Sequence, residues 1–261
     1  MNLATRSCLV LALFAGLFYC GCKTMNDRPF TLSDSQHILR VGVAADYPPV
    51  VFMQNKALAG VEADFARSLA KKLGRKLDFV EMTRDKLVDA LMQNKIDIIM
   101  SGMSVTDERK VRVAFCAPYL KVGQMALMRR SDSAKFSTLP AIIMSNARVG
   151  IQKGTTAEQV VQQKFLNARK LIYSTSKDAA LDLARHRIDL VIDDAPIIWW
   201  LASENDTELT VFPTAFTEEY LAWGVRQGNN ELLEAANNIL AQWDKDGTLD
   251  RVFARWIPYM K

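Results

Sequence analysis

The chain reads as an α/β protein built of two similar lobes, and three features of the sequence lead there. Short apolar runs of strand length alternate with amphipathic stretches of helical period, the pattern of parallel strands joined by helices. The alternation begins again after residue 147. A segment also recurs, since Asn94-Lys95-Ile96-Asp97-Ile98-Ile99-Met100-Ser101 parallels His186-Arg187-Ile188-Asp189-Leu190-Val191-Ile192-Asp193. In both, a helix ends in basic residues, an Ile-Asp pair opens a buried strand, and a polar loop follows. Two related α/β units account for this, although common residues can produce so short a match by chance.

In order, Leu39 to Ala45 reads as a strand that stops at the breaker Asp46-Tyr47-Pro48-Pro49. Glu62 to Leu73 is predicted helical because Val61, Phe65, Leu69 and Leu73 recur every four residues, and Gly74 suits its end. Leu77 to Met82 is a strand, Lys86 to Gln93 a helix and Ile96 to Met100 an apolar strand. In the second half, strands are expected at Arg148 to Gln152, Lys170 to Tyr173 and Ile188 to Ile192. Helices are expected at Ala157 to Phe165 and Lys177 to Arg187. The tail, Glu231 to Trp256, is helical with a break at Asp246-Gly247, and its tryptophans read as core residues.

Composition narrows the function. A chain of 261 residues that is 49% hydrophobic can bury one large core or two modest ones. A net charge of +4, with no basic run interleaved with aromatics, argues against nucleic acid as a partner. Arg6, the apolar stretch Cys8 to Tyr19 and then Cys20-Gly21-Cys22-Lys23 make an export signal spanning residues 1–22, too short for a membrane helix. Gly21-Cys22 resembles a lipobox in which Cys22 carries lipid, with Tyr19 in place of the usual aliphatic residue; simple cleavage is the alternative. Cys116 is then the one cysteine of the folded body, so the fold stands on its core, and this thiol reads as buried and structural. His37 and His186 are far apart, and no Cys/His spacing suits a metal. Neither a metal nor a cofactor is expected.

In open α/β sheets, ligands bind at the carboxyl ends of the strands. The loop after Met100, Ser101-Gly102-Met103-Ser104-Val105-Thr106-Asp107-Glu108-Arg109, offers hydroxyls, backbone N–H groups and a guanidinium suited to a carboxylate. Lys153-Gly154-Thr155-Thr156 opens a helix whose free N–H groups favour an anion. Asp193-Asp194-Ala195-Pro196 supplies carboxylates for a cation. Anion and cation receptors side by side describe an α-amino acid site. Each piece also has a plainer reading: Thr106 and Thr155 as helix caps, Arg109 as a solvated surface residue, Asp194 as the cap of a helix beginning at Pro196, and Tyr47 as core.

Taken together, these segments resemble the bacterial extracellular solute-binding proteins of family 3, the polar-amino-acid receptors of ABC importers. The resemblance runs from about Ile38 to Trp256. It is carried by Val41-Gly42-Val43 with Asp46-Tyr47-Pro48-Pro49, Gly60-Val61-Glu62-Ala63-Asp64, Ile96-Asp97-Ile98-Ile99 with Gly102 to Arg109, and Pro118-Tyr119. Gly154-Thr155-Thr156, Asp194-Ala195-Pro196, and Asp246-Gly247-Thr248 with Trp256 complete it. It implies the type II periplasmic-binding fold: lobe 1 from residues 38–121 and 222–261, lobe 2 from 122–221, joined by two crossing strands near Tyr119–Gly123 and Tyr220–Ala222.

The resemblance further implies that Arg109, the Ser104 backbone and Thr155 hold a ligand carboxylate, and that the Gly102 carbonyl and Asp194 hold its ammonium. Asp46, Tyr47, Arg84 and Gln152 would face the ligand side chain. The chain departs from the family at Val50-Val51 after the proline pair, at Arg84 where an aromatic commonly covers the ligand, and at Ala117. An apolar sandwich is thereby weakened, and a polar or acidic ligand end facing Arg84 is expected. Implied partners are an amino-acid-like solute and an inner-membrane ABC permease, with the protein a monomer in the periplasm or on the extracytoplasmic face. Two alternatives stay open: a cyclohexadienyl (prephenate or arogenate) dehydratase using acids such as Glu62, Asp46 or Asp194, and a solute-sensing lipoprotein.

Overall fold

The computed structural model describes residues 38–258, so the export signal, Cys22 and His37 lie outside the described residues. Two five-stranded sheets carry the two lobes. In the first, Ile38–Val43 lies parallel between Lys76–Glu81 and Ile98–Ile99, and two antiparallel strands, Gly224–Arg226 and then Val113–Phe115, extend the sheet. In the second, Arg148–Gln152 lies parallel between Arg169–Tyr173 and Leu190–Asp194, followed by antiparallel Gln124–Arg129 and Leu209–Phe212. The arrangement is the same in both. In each sheet the fourth strand follows a crossing between the lobes. Leu120–Val122 and Glu219–Leu221 are those crossings, and they pair antiparallel.

The recurring segment folds the same way twice. Asn94 and His186, at equivalent places, both adopt a left-handed backbone, with φ of 59° and 60°. Asp97 accepts hydrogen bonds from the backbone and guanidinium of Arg40, and Asp189 does the same for Arg148. Burial raises the Asp189 pKa, but the Arg148 hydrogen bonds outweigh it and hold the carboxyl well below its usual range. Two residues after each arginine stands a glycine. A Cβ on Gly42 would lie 2.3 Å from Ile96 Cδ1, and one on Gly150 2.6 Å from Ile188 Cδ1, so the isoleucine of each Ile-Asp pair fills the space the glycine leaves.

Several elements differ from the sequence reading. The strand expected over Ile96 to Met100 is reduced to Ile98–Ile99, although Asp97 and Met100 still donate to the neighbouring strand. Asp193 and Asp194, read as loop, are the last residues of Leu190–Asp194, because Gln124 and Met125 pair with them from the other side. A small sheet of Asp46–Tyr47, Val51–Gln54 and Ala57–Ala59 occupies the region read only as a breaker. Val113–Phe115 and Leu209–Phe212 are sheet-edge strands too short to show a period.

The core of the first lobe centres on Phe65 from the helix Val61–Lys72. Its fully buried ring contacts Tyr119, Trp223, Trp243 and Phe253 at centroid distances of 5.5–5.9 Å. The C-terminal helices Asn230–Lys245 and Thr248–Trp256 thus pack on the lobe that begins the chain, with Gly247 at φ 72° making the turn between them. Truncating Phe65 to Ala is expected to cost about 3–5 kcal/mol in urea denaturation, as for other large-to-small changes in a rigid core. A loss below about 1 kcal/mol would show that the five rings are not one packed unit.

Candidate functional site

Between the lobes lies a cavity of about 330 Å³ at the carboxyl ends of both sets of parallel strands. The structure brings the sequence-predicted residues together there. Tyr47, Arg84, Gly102, Ser104 and Arg109 line it from one side, and Gln152, Thr155 and Asp194 from the other. Asp46 is held just behind them, bonded to Arg84 and Gln152.

Arg109 sits on the short helix Asp107–Lys110, whose cap is Thr106. The guanidinium is partly covered and donates to the carbonyls of Ser104 at 2.9 Å and Gly154 at 3.2 Å, the second across the cleft. It pairs with no carboxylate among the described residues. Burial, reinforced by the nearby charge of Arg84, lowers its pKa below the ordinary guanidinium value, yet arginine stays charged at neutral pH. A partly covered cation without a counter-charge has the chemistry to receive an anion.

Asp194 stands at the first position of the helix Ala195–Glu204, but its side chain does not cap that helix. Tyr47 Oη donates to one of its oxygens at 2.8 Å and Gln124 Nε2 to the other at 2.5 Å. Burial, with repulsion from Asp193 and Glu219, raises its pKa to about 8. A ligand ammonium would relieve that strain on the charged form. Asp193 is bonded by Ser176 Oγ and by the Asp194 backbone, and burial likewise raises its pKa.

Gly102 has φ 62°, and a Cβ there would lie 2.5 Å from the Tyr47 ring, so the close approach requires glycine. Its N–H donates to Glu62, which also accepts from Tyr119 Oη. Burial raises Glu62 to about 7. The Thr155 hydroxyl is committed to the cap reading: it accepts from Glu158 N and donates to the Gln152 carbonyl. What it leaves for a ligand is the helix N-terminus of Thr156–Lys164, which opens on the cavity through Gly154, Thr155 and Thr156. Ser104 is pinned by a bridge to Leu221 on the second crossing.

Sequence reasoning did not assign site roles to Gln124, Ser176 or Tyr119, and it read Asp193 with Asp194 as a carboxylate for a cation. Gln124 is fully buried and also bonds Thr156 and Glu219, both at 3.0 Å. It opens the strand after the first crossing, and a crossing location is the one signal that would have found it. Cys116 is buried, and burial pushes its thiol to about 12, so it supplies no thiolate. Among the described residues no group of three or more His, Cys, Asp or Glu side chains is placed to hold a metal ion.

The sequence model of the bacterial extracellular solute-binding proteins, family 3, matches residues 39–259. The chain belongs to that family. It is 30% identical over 230 residues to the ABC transporter arginine-binding protein 1 of Escherichia coli (strain K12), covering 84% of this chain and 90% of that one. It is also similar to the ancestral amino acid-binding protein AncCDT-1, a precursor of cyclohexadienyl dehydratase, with TM-score 0.80, 34% identity, and coverage of 86% of this chain and 96% of that one. A binding component from Wolinella succinogenes complexed with lysine gives TM-score 0.81 at 31% identity, covering 84% of this chain and 95% of that chain. The two-lobed fold and its crossing strands are those of the family, and this chain is a solute-binding protein.

Two of the three raised carboxyls, Asp194 and Glu62, set a pH dependence. Unfolded, each titrates near about pH 4, whereas Asp194 and Glu62 retain protons to about 8 and about 7 in the folded protein. Between those limits the folded state binds more protons, so stability falls as pH rises. The ligand-free protein should melt lower at pH 8 than at pH 5.5 in scanning calorimetry, with a smaller difference in Asp194→Asn. A melting temperature that rises over this range would contradict the assignment.

Proposed function

We propose that the protein captures a small α-amino acid in the interlobe cleft and presents it to the permease of an ABC importer, catalysing no reaction itself. The observation that carries this is the pairing of opposite unmet charges in one cavity. Arg109 is a partly buried cation held only by carbonyls. Asp194 is a buried carboxyl at a helix start that it does not cap. A carboxylate and an ammonium on one ligand satisfy both. The amino-acid-binding relatives support the same reading.

Capture by closure also fits the contacts between the lobes. Tyr47 Oη bonds Asp194, Gln152 bonds Asp46 and Gln159 bonds Glu108, while the Phe52 and Trp200 rings meet at 5.2 Å. A ligand touching both lobes stabilises this arrangement by its difference in affinity for the closed and open states, and the closed surface is what a permease can recognise. Family membership places the protein outside the cytoplasm, and lipid on Cys22 would tether it to the membrane as a monomer. Against dehydration chemistry, Glu62 has a pKa suited to a general acid, but its oxygens are taken by Gly102 N and Tyr119 Oη and it does not line the cavity.

Calorimetric titration of the refolded protein against amino acids and keto acids tests the proposal. One amino acid should bind at micromolar concentration or tighter. Arg109→Ala and Asp194→Ala should each weaken it at least about 100-fold, as when one partner of a buried charge pair is removed. Silence across the panel, together with turnover of prephenate, would overturn the proposal.

A further inference from the structure

The far end of the cavity is closed by the protein's own charges. Arg84 Nη2 donates to Asp46 Oδ1 at 2.7 Å and Nη1 to the Ser101 carbonyl at 2.9 Å. The guanidinium carbon lies 5.5 Å from the centre of the Tyr47 ring. The pair is well covered, with side-chain exposures of 12% for Arg84 and 19% for Asp46. The second oxygen of Asp46 accepts from Gln152 Nε2 at 2.5 Å, so the wall joins both lobes. Gln152 Oε1 in turn accepts from Ser176 Oγ at 3.2 Å. Behind the wall lies a second cavity, of about 670 Å³, bordered by Glu81, Thr83, Lys86, Lys153 and Thr175. Arg84, Asp85 and Gln152 border both cavities.

From this we infer that Arg84 is the specificity-determining residue: it occupies the place a ligand's cationic side chain would take, so the site accepts a small amino acid with an uncharged side chain. This rests on the amino-acid-receptor reading above. Once Arg109 and Asp194 have received the ligand carboxylate and ammonium, the covered charges near the side chain are Arg84, Asp46 and Asp193, while Asp85, Glu108 and Arg112 line the same cavity with exposed side chains. Asp46 is neutralised by Arg84, and Asp193 is turned to Ser176 Oγ and the Asp194 backbone. A ligand lysine or arginine would meet Arg84 inside the site, where like charges repel strongly, and the exposed carboxylates of Asp85 and Glu108 are engaged by Lys153 and Gln159. An acidic side chain finds the charge of Arg84 already balanced by Asp46 at 2.7 Å. The wall also separates this cavity from the second one. The chain thereby departs from the arginine-binding protein of Escherichia coli and the lysine complex from Wolinella succinogenes that it resembles.

The test is competitive calorimetry on the refolded full chain with alanine, serine, threonine, glutamate, lysine and arginine. At least one of alanine, serine and threonine should bind tenfold or more tighter than lysine, arginine and glutamate. Arg84→Ala, which bares Asp46 and joins the two cavities, should shift the ratio of arginine to serine affinity at least tenfold toward arginine. Arg84→Gln serves the same purpose if Arg84→Ala lacks a cooperative melt. Preference of the unaltered protein for arginine, lysine or glutamate would overturn this inference while leaving the receptor reading intact, as would an unchanged ratio in a folded Arg84 variant. Binding of none of the six would overturn both.

Discussion

Leu120–Val122 and Glu219–Leu221 lie antiparallel between the lobes, and most of the architecture follows from that pairing. A chain that crosses once must cross back, and each crossing delivers the fourth strand of the sheet it enters: Gln124–Arg129 in one lobe, Gly224–Arg226 in the other. Those strands run against the parallel set, so each sheet ends in an antiparallel pair. The same pairing builds the floor of the cleft. Ser104 bridges to Leu221, Val105 N bonds the Tyr220 carbonyl and Ala222 N bonds the Met103 carbonyl, which holds the loop carrying Arg109 against the second crossing. Gln124, directly after the first crossing, reaches Asp194.

The cleft is a place where buried charge is tolerated because it is shared. Arg84 meets Asp46, Glu62 meets Gly102 N and Tyr119 Oη, and Asp193 meets Ser176 and a backbone amide. Arg109 and Asp194 are left with neutral partners only, and burial shifts each toward its uncharged form. On the proposed reading, a zwitterionic ligand would supply counter-charges that offset the cost of burying both groups.

Much of this was legible along the chain. The four-residue spacing of Val61, Phe65 and Leu69 placed a helix to within a residue, because a helix facing a core writes its period into the sequence. The Ile-Asp recurrence marked corresponding strands, although the matching Arg-Val-Gly at Arg40 and Arg148, which completes each unit, went unread. The loops at strand ends pointed to Arg109, Gly102 and Asp194. Where two readings of a residue competed, local pattern had no means to choose. Thr155 proved to be a cap by its hydroxyl, and Asp194 did not cap by its carboxylate.

The sequence by itself determined the alternation of strands and helices, the doubled α/β unit and the loops that bear charge, all of which depend on residues within a turn or two of one another. Tertiary structure decided which charges are spoken for. Tyr47 meets Asp194 across 147 positions, and Gln152 meets Asp46 across 106. The surroundings of Arg84 also lie there: as a sequence feature it is a cation expected to face a polar or acidic ligand end, and in the fold Asp46 and the Ser101 carbonyl hold it. A hydrogen bond between distant residues leaves no period in the chain, and it exists only once the chain has folded.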